Sequence, residues 1–561
     1  MKRLVFMFVF IAFAFIHAEN YLIQGSQSSE IRYQLSQRVD IAGKTKTLSL
    51  SFVIPESYES PTYVQRVSNV DLKLVPEPDQ REQKRDNRGN VVINATWKDP
   101  AASVDASVTF TANNETRLSS LKSSAPFPLT SVPESIKDYL SHTEQVQVND
   151  PEIGSKAREL TNGVQTEFDA VQRILSWVVD NVRYVTPPKQ YDALYSFHNG
   201  KGNCQNYSHL SAALMRRVGI PVRIVNGVTL KQPYVVKMPD GEFTFKMGQG
   251  RHSWIEVYFS DLGWVPFDPQ QSELFVSNRY VRIEVGVDNN ETINDGTVRW
   301  RQAKGSQGKP SFQEGIEATF VGDQVALSME KQTYGPKGML LCPKVQTAFQ
   351  RVVTPEPPPP PKVSETQLKT LHYTKPYIFG NMDFPKGVDF FITRGPAEQD
   401  QTDEYVMRKN FMVETAEYVT TKMTQYAQVF VLSKPMKLKA VSLALHKFGG
   451  SGQIWLDLMQ DNNGKPGATL ATSQWMDLDS VPMSAGYDWM DFVYEGDITI
   501  KPGKYWVALG FTGSPIMNWY YTYGKPVGPV DGTRYKGVYD ERWSGALAYE
   551  FNYRVVGWAA E

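Results

Sequence analysis

Apolar and polar positions alternate in short runs over the first part of the chain, as in "SLSFVI" and "NVVINATW", and polar turns such as "EPDQREQKRDNRGN" separate them. A period of two with frequent turns predicts β-strands, and their succession predicts a β-sandwich over residues 19–130. The periodicity changes at "SVPESIKDYL", where Ser131 or Ser135 is a candidate cap and Pro133 suits a first turn, and a second helix start follows at "NDPEIGSKAREL". In "FDAVQRILSWVVDNVRYV" the apolar residues Val171, Ile174, Leu175, Val178 and Val182 recur at helical spacing. After "YDALYSFHNGKGNC" a further helix presents Tyr207, Leu210, Leu214 and Val218 as its buried face and ends at Gly219, with Pro221 just beyond. The runs "PVRIVNGVTL", "HSWIEVYF" and "GWVPFD" read as strands, so residues 131–275 form an α+β core with helices first and an antiparallel sheet after.

The remaining pattern is β throughout. "RYVRIEVGV", "TVRW" and "DQVALSM" predict a β extension of the core over 276–350. "TPEPPPPPK" then makes 351–364 a stiff, extended linker. Residues 365–561, rich in Trp, Tyr, Gly and turn signals such as "DNNGKPG", predict a second, separate β-sandwich. The expected fold class is therefore multidomain α+β, with one mixed core between two β-sandwiches.

Composition narrows the function classes. A chain of 561 residues exceeds a single domain. A formal net charge of -1 without a basic block gives no reason to expect nucleic acid as a partner. At the N-terminus, Lys2 and Arg3 precede an apolar run from Leu4 to Ile16 and a small residue at Ala18, the pattern of a signal peptide over 1–18. A membrane anchor is the weaker reading because the run is short of the ~20 residues that span a bilayer. The expected location is secreted, periplasmic or cell surface, with no membrane span after signal removal. Export favours disulfides, yet the chain has only Cys204 and Cys342, which lie in regions of different character. Both are read as free, and Cys342 as structural or incidental.

Cys204 falls in "GKGNCQNYSHL", where a turn passes into a helix. Unpaired N–H groups and the positive end of the helix dipole favour a thiolate at such a position, and a thiolate is a nucleophile. A base is then needed, and seven histidines allow elimination. His17 lies in the signal, His142 in a polar loop, and His372 and His446 in the C-terminal part. His198 sits in the loop before the helix, and His209, five residues along it, points about 140° away from Cys204. His252 remains, opening the strand "HSWIEVYF". Asp268 lies on the returning strand "GWVPFD", opposite or diagonal to His252 depending on register. Nucleophile, base and orienting acid make a Cys204, His252, Asp268 triad.

The blocks "GKGNCQNYSHLSAALMRRVGIPVRIVNG" and "RHSWIEVYFSDLGWVPFDP" resemble the transglutaminase-like (transglutaminase core) superfamily of papain-like fold, in its secreted bacterial form, over about residues 165–275. The resemblance implies Cys204 as nucleophile, His252 as general base and acid, Asp268 as orienting acid, and acyl transfer through a thioester. It implies helix and core packing for Trp177 and Tyr184. A second oxyanion donor has no match, with Gln190, Tyr191 and Tyr195 as candidates. The acceptor is open: water makes the protein a cysteine peptidase or amidase acting on protein or peptide, and an amine makes it a crosslinker. Hydrolysis is preferred because "DNNETINDGTVR" has Ile293 and Arg299 where a calcium loop needs Gly and Glu. No cofactor or metal is expected. The C-terminal region loosely resembles jelly-roll carbohydrate-binding or adhesion modules, and "NWYYTYG" with Trp475, Trp489, Trp506 and Trp543 suggests a glycan or cell-surface ligand. A scaffold without catalysis is the remaining alternative.

Overall fold

Helices α1 (Pro151–Thr161), α2 (Glu167–Asn181), α3 (Ala193–Asn199) and α4 (Cys204–Arg217) pack with an antiparallel sheet. Its strands lie in the order Gly263–Phe267, Gly250–Phe259, Val222–Thr229, Tyr280–Gly286. The computed structural model describes residues 20–332 with breaks at 119–120, 186–187, 239–240, 247, 271–275 and 293–296. It also describes short strand pieces between 340 and 418, the segment 363–380, and 424–560 with breaks at 484–486, 524–531 and 548. The expected signal peptide, nearly all of the proline linker and Cys342 lie outside the described residues.

The helices start where the sequence places caps. Asp150 accepts from the N–H groups of Glu152 and Ile153 with Pro151 in the first turn of α1, and Thr166 accepts from Asp169 at the start of α2. The predicted stripe of α2 faces inward, with Val171, Ile174, Leu175 and Val178 all buried. α4 differs from its expected amphipathic form, because every residue from Cys204 to Arg216 is buried. It is enclosed by α1, α2 and α3 and by the sheet, and its Asn206, His209 and Arg216 side chains find internal partners. The Arg216 guanidinium donates to the carbonyls of Val222, Ser141 and Val287 at 2.6–3.0 Å. Burial pulls its pKa down to about 10, and the bonds lock the helix end to the strand that follows.

The N-terminal residues form two antiparallel sheets around a shared core that includes Ile31, Leu48, Phe52, Trp97, Phe110 and Trp300. Here the strand partners differ from the expected extension of the core over 276–350. Among the described residues of that span, only Tyr280–Gly286 joins the core sheet. Thr297–Gln302 pairs with Thr45–Ile54, and Ser311–Gln332 pairs with Asn20–Asp40 along its whole length. Alternation fixes which face of a strand is apolar but not which strand lies beside it. The 21-residue strand Asn20–Asp40 therefore finds its partner some 290 residues away in the chain.

An unexpected hairpin, Tyr234–Met238 and Gly241–Phe245, is inserted between the strands of Gly227 and His252. Lys237 pairs with Ser328 of the N-terminal sheet, and Phe243 to Phe245 pair with Gly545 to Leu547 of the C-terminal residues. The C-terminal residues are themselves two sheets around Phe430, Leu443, Leu456, Phe492, Trp519 and Phe551. The expectation of a separate module reached only through a spacer thus differs from the observed contacts. Arg183 donates to the Gly380 carbonyl at 2.6 Å, and the Thr244 and Tyr535 hydroxyls are 3.0 Å apart.

Glu167, at the first position of α2, has no exposed surface. Burial, with the neighbouring Asp261 carboxylate, raises its pKa from 4.5 to about 8. The native carboxyl then keeps a proton that the unfolded chain releases near pH 4.5, so this group's contribution to stability falls as pH rises from about 4.5 to about 8. Glu167→Gln is expected to flatten that slope. Thermal unfolding of both proteins at pH 5 and pH 8 checks it, the wild type losing more than the variant.

Candidate active site

The turn before α4 is built to place Cys204 at its first residue. Asn203 caps the helix, its side chain accepting from the N–H groups of Gln205 and Asn206, while the Asn206 side chain returns to the Asn203 N–H. Gly202 is required here, since a Cβ on it would lie 2.3 Å from the Cβ of Asn206. The Nδ2 of Asn206 also donates to the Gln190 and Asp192 carbonyls at 3.1 and 3.0 Å. The Gly-x-Cys signature is thus a spacing rule for the cap, and the cap ties the 190–192 segment to the start of α4.

His252 and Asp268 come together from adjacent strands. Ile255 pairs with Phe267, so Asp268 lies one residue past the end of its strand and diagonal to His252. His252 Nε2 is 2.7 Å from Asp268 Oδ2. That leaves Nδ1 as the ring nitrogen for Cys204, with which His252 also interacts by hydrogen bond and charge. Cys204, His252 and Asp268 are 3 %, 1 % and 1 % exposed. Burial alone lowers the His252 pKa. The charge and hydrogen bond of Asp268, followed by those of Cys204, outweigh it and raise the value from 6.5 to about 10.

Asp268 has two further donors. Tyr280 Oη donates to its Oδ2 at 2.5 Å, and the Gln270 N–H to its Oδ1 at 3.0 Å. Tyr280 is held in turn by the N-terminal sheets, where Tyr63 Oη and Asn114 Nδ2 both donate to its carbonyl at 2.7 Å. Trp254 stacks on the His252 ring at 5.9 Å and meets Tyr280 edge-on at 5.2 Å. Tyr280 was not among the residues singled out from the sequence. It lies 12 residues beyond Asp268, outside the recurrent blocks, and no local signal marks it.

The other candidates have different surroundings. His209 is fully buried, with Nδ1 2.7 Å from the Tyr191 carbonyl and Nε2 accepting from the Asn289 N–H at 3.2 Å. Desolvation lowers its pKa to about 4, so it is a neutral strut. His198 is exposed and faces Glu152. Gln190 is exposed, Tyr191 half-buried and Tyr195 buried within α3. The Gln190 and Tyr191 carbonyls accept from Asn206 and His209, and the Tyr195 N–H donates to Asp192, bonds that single out none of the three side chains as a second oxyanion donor. Trp177 packs on Phe197, and Tyr184 is part of the core. Asp288 accepts from the N–H groups of Asn290 and Glu291, a tight turn on the flank of α4. Residues 293–296 of that loop lie outside the described residues, among which no cluster of three metal-ligating side chains occurs.

Glu256, from the same strand as His252, is buried between Arg223 and Arg282, with bonds of 2.5 and 2.8 Å. Burial opposes its charge, and the two guanidinium groups more than compensate, holding the carboxyl below its usual range. Arg282 lies over the Tyr58 ring at 4.3 Å and Arg223 over Trp264 at 4.3 Å, so this triad joins the core sheet to the N-terminal sheets.

Two substitutions test this arrangement. Asp268→Asn removes the dominant raising influence on His252, so its pKa is expected to fall well below about 10, read from imidazole proton shifts against pH. Tyr280→Phe leaves the buried carboxylate one donor short. It is expected to cost about 1.5–3 kcal/mol in denaturant unfolding.

Residues 154–269 match the family model described as the transglutaminase-like superfamily. The uncharacterized protein YebA of Bacillus subtilis (strain 168) is 31% identical over 144 residues, 24% of this chain and 20% of YebA. The uncharacterized protein ML0607 of Mycobacterium leprae (strain TN) is 29% identical over 123 residues, 21% of this chain and 40% of ML0607. The chain therefore spans well under half the length of these curated relatives. A crystal structure from Cytophaga hutchinsonii, proposed to be a cysteine protease, aligns with a TM-score of 0.40 at 17% identity. That alignment covers 56% of this chain and 100% of that one. Cys204, His252 and Asp268 all fall inside the matched stretch, and residues 154–269 are a transglutaminase-like core domain.

Proposed function

We propose that this chain is an exported cysteine-dependent hydrolase that cleaves amide bonds in proteins or peptides through a thioester. The observation that carries the reading is the buried 2.7 Å contact of His252 with Asp268, with the other ring nitrogen turned to a cysteine at a helix start. In this reading Cys204 gives its proton to His252 and its sulfur attacks the substrate carbonyl. The oxyanion forms at the start of α4, where the Cys204 N–H serves as one donor while Asn203 caps the N–H groups of Gln205 and Asn206. The intermediate collapses as the carbon–nitrogen bond breaks, and His252 gives the proton to the departing amine. Water then attacks the thioester, His252 takes its proton, and the acid leaves as the thiol is restored.

Asp268 acts by holding the ring and balancing the imidazolium, not by taking the proton. Among the described residues no helix is long and apolar enough to cross a membrane. The N-terminal signal pattern supports action outside the cytoplasm, and the two C-terminal sheets are read as a jelly-roll-like β-sandwich that serves as a binding module.

Intact-mass measurement of iodoacetamide adducts at pH 6 tests the nucleophile, and the small reagent suits a cysteine only 3 % exposed. Rapid labelling is expected at Cys204; Cys204→Ala loses it and keeps only the slow labelling of an ordinary thiol at Cys342, and His252→Ala slows it at least ~10-fold. Equal rates in wild type and His252→Ala would overturn the reading. Incubating a protein substrate with and without a fluorescent primary amine separates the acceptors. New peptide fragments are the expected outcome, whereas amine incorporation without cleavage would make the protein a crosslinker.

A further inference from the structure

We infer that the outer face of the C-terminal sheet carries a carbohydrate-binding platform centred on Trp475. This inference is independent of the triad. It starts from a cross-strand pair. Gln453–Asp461 pairs with Met476–Asp477, with Ile454 opposite Met476 and Gln453 opposite Asp477, which sets Trp455 opposite Trp475. The two indoles stack at 4.5 Å with 13° between their planes. Beneath them Gly510 faces Trp455, and a Cβ there would lie 2.4 Å from the indole Cε2. The missing side chain lets Trp455 lie against the sheet, with Trp475 stacked on it. Trp475 is nevertheless 55% exposed, so one of its faces is occupied and the rest is offered to solvent.

Polar pairs flank the stack on both sides along the same face. Gln453 Nε2 donates to Asp477 Oδ1 at 3.0 Å. Thr472 Oγ1 donates to Asp457 Oδ1 at 2.6 Å, and Trp455 Nε1 to Asp457 Oδ2 at 3.3 Å. Each carboxylate is thereby fixed in orientation, and a carboxylate has about four lone-pair sites, so capacity for further donors remains. The result is one flat aromatic face with an oriented acceptor above and below it along the strand.

That combination selects its ligand by chemistry. The face of an indole is electron-rich and attracts the weakly positive C–H edges on the flat side of a pyranose. The hydroxyls around the same sugar ring are donors, and hydrogen bonds to a charged acceptor are the stronger kind. A protein partner fits less well, because a standard interface takes about 800 Å² from each side. Here the exposed apolar surface is the Trp475 ring, on a face that also carries exposed Thr472 and Asp477. An anionic membrane surface is disfavoured by the two carboxylates beside the ring.

The test uses the full chain with four soluble probes: cellohexaose, chitohexaose, xylohexaose and yeast mannan, followed by intrinsic tryptophan fluorescence and calorimetry. Binding of at least one probe is expected. Trp475→Ala should lower its association constant at least ~10-fold, and Trp475→Tyr, which keeps a flat ring, should restore most of the loss. Asp477→Asn should weaken binding ~3- to 10-fold. Tyr539→Ala, in the turn between Thr533–Gly537 and Ser544–Leu547 and 88% exposed, should leave it unchanged. Thermal unfolding of each variant controls for folding. Failure of all four probes to bind, or equal binding by wild type and a folded Trp475→Ala, would overturn the inference. Cys204 alkylation in the same variants is expected to stay at the wild-type rate, which keeps this result separate from that on the triad.

Discussion

A carboxylate taken out of water loses several kcal/mol of hydration, and it stays ionised only where an opposite charge and hydrogen bonds replace what the solvent supplied. Asp268 is 1 % exposed and receives His252, Tyr280 and the Gln270 N–H. Gln270 is local to Asp268, but His252 and Tyr280 come from two other strands, so satisfying this carboxylate commits much of the protein's geometry. His252 fixes the register of the strands Gly250–Phe259 and Gly263–Phe267. Tyr280 commits the strand on the far side of the sheet, and through its carbonyl the Tyr63 and Asn114 side chains of the N-terminal sheets. The N-terminal sheets therefore reach the candidate site through two hydrogen-bonded steps without presenting a side chain to it.

α4 follows the same logic. A helix enclosed on all sides is ordinarily apolar all round, yet this one carries Asn206, Ser208, His209, Ser211 and Arg216 in buried positions. Three of them hold neighbouring backbone: Asn206 binds the 190 and 192 carbonyls, His209 the 191 carbonyl and the 289 N–H, and Arg216 three carbonyls around the end of the helix. The helix that presents Cys204 is thus also the frame on which the surrounding loops are hung. Such fully bonded polar groups in a low-dielectric interior favour one arrangement of those loops over others.

The hairpin between the strands of Gly227 and His252 gives the C-terminal sheets a hydrogen-bonded connection to the core. It continues directly into the His252 strand, and Lys246 lies over the rings of Tyr426 and Tyr535. The surface bearing Trp475 is therefore attached to the transglutaminase-like domain by paired strands as well as by the chain that links them.

Much of the candidate site was legible in the sequence because its signals are local. The helix start at Cys204 shows in the Asn and Gly residues before it, the stripe of α2 in its spacing, and the two strands of His252 and Asp268 in a hairpin whose loop is short. Removing the badly placed histidines left His252, and the observed pairing chose the diagonal of the two registers that alternation allowed. The partner of Asn20–Asp40, the donor Tyr280 and the burial of every side of α4 were not legible. Each depends on which distant segment packs against which, and periodicity carries no information on that. The sequence by itself determined where Cys204, His252 and Asp268 stand along the chain relative to turn, cap and strand, since these are short-range consequences of residue type. Only the tertiary structure decided what holds Asp268 in place, because its donor Tyr280 joins from another strand of the sheet and is itself fixed by Tyr63 and Asn114, 217 and 166 residues away in the chain.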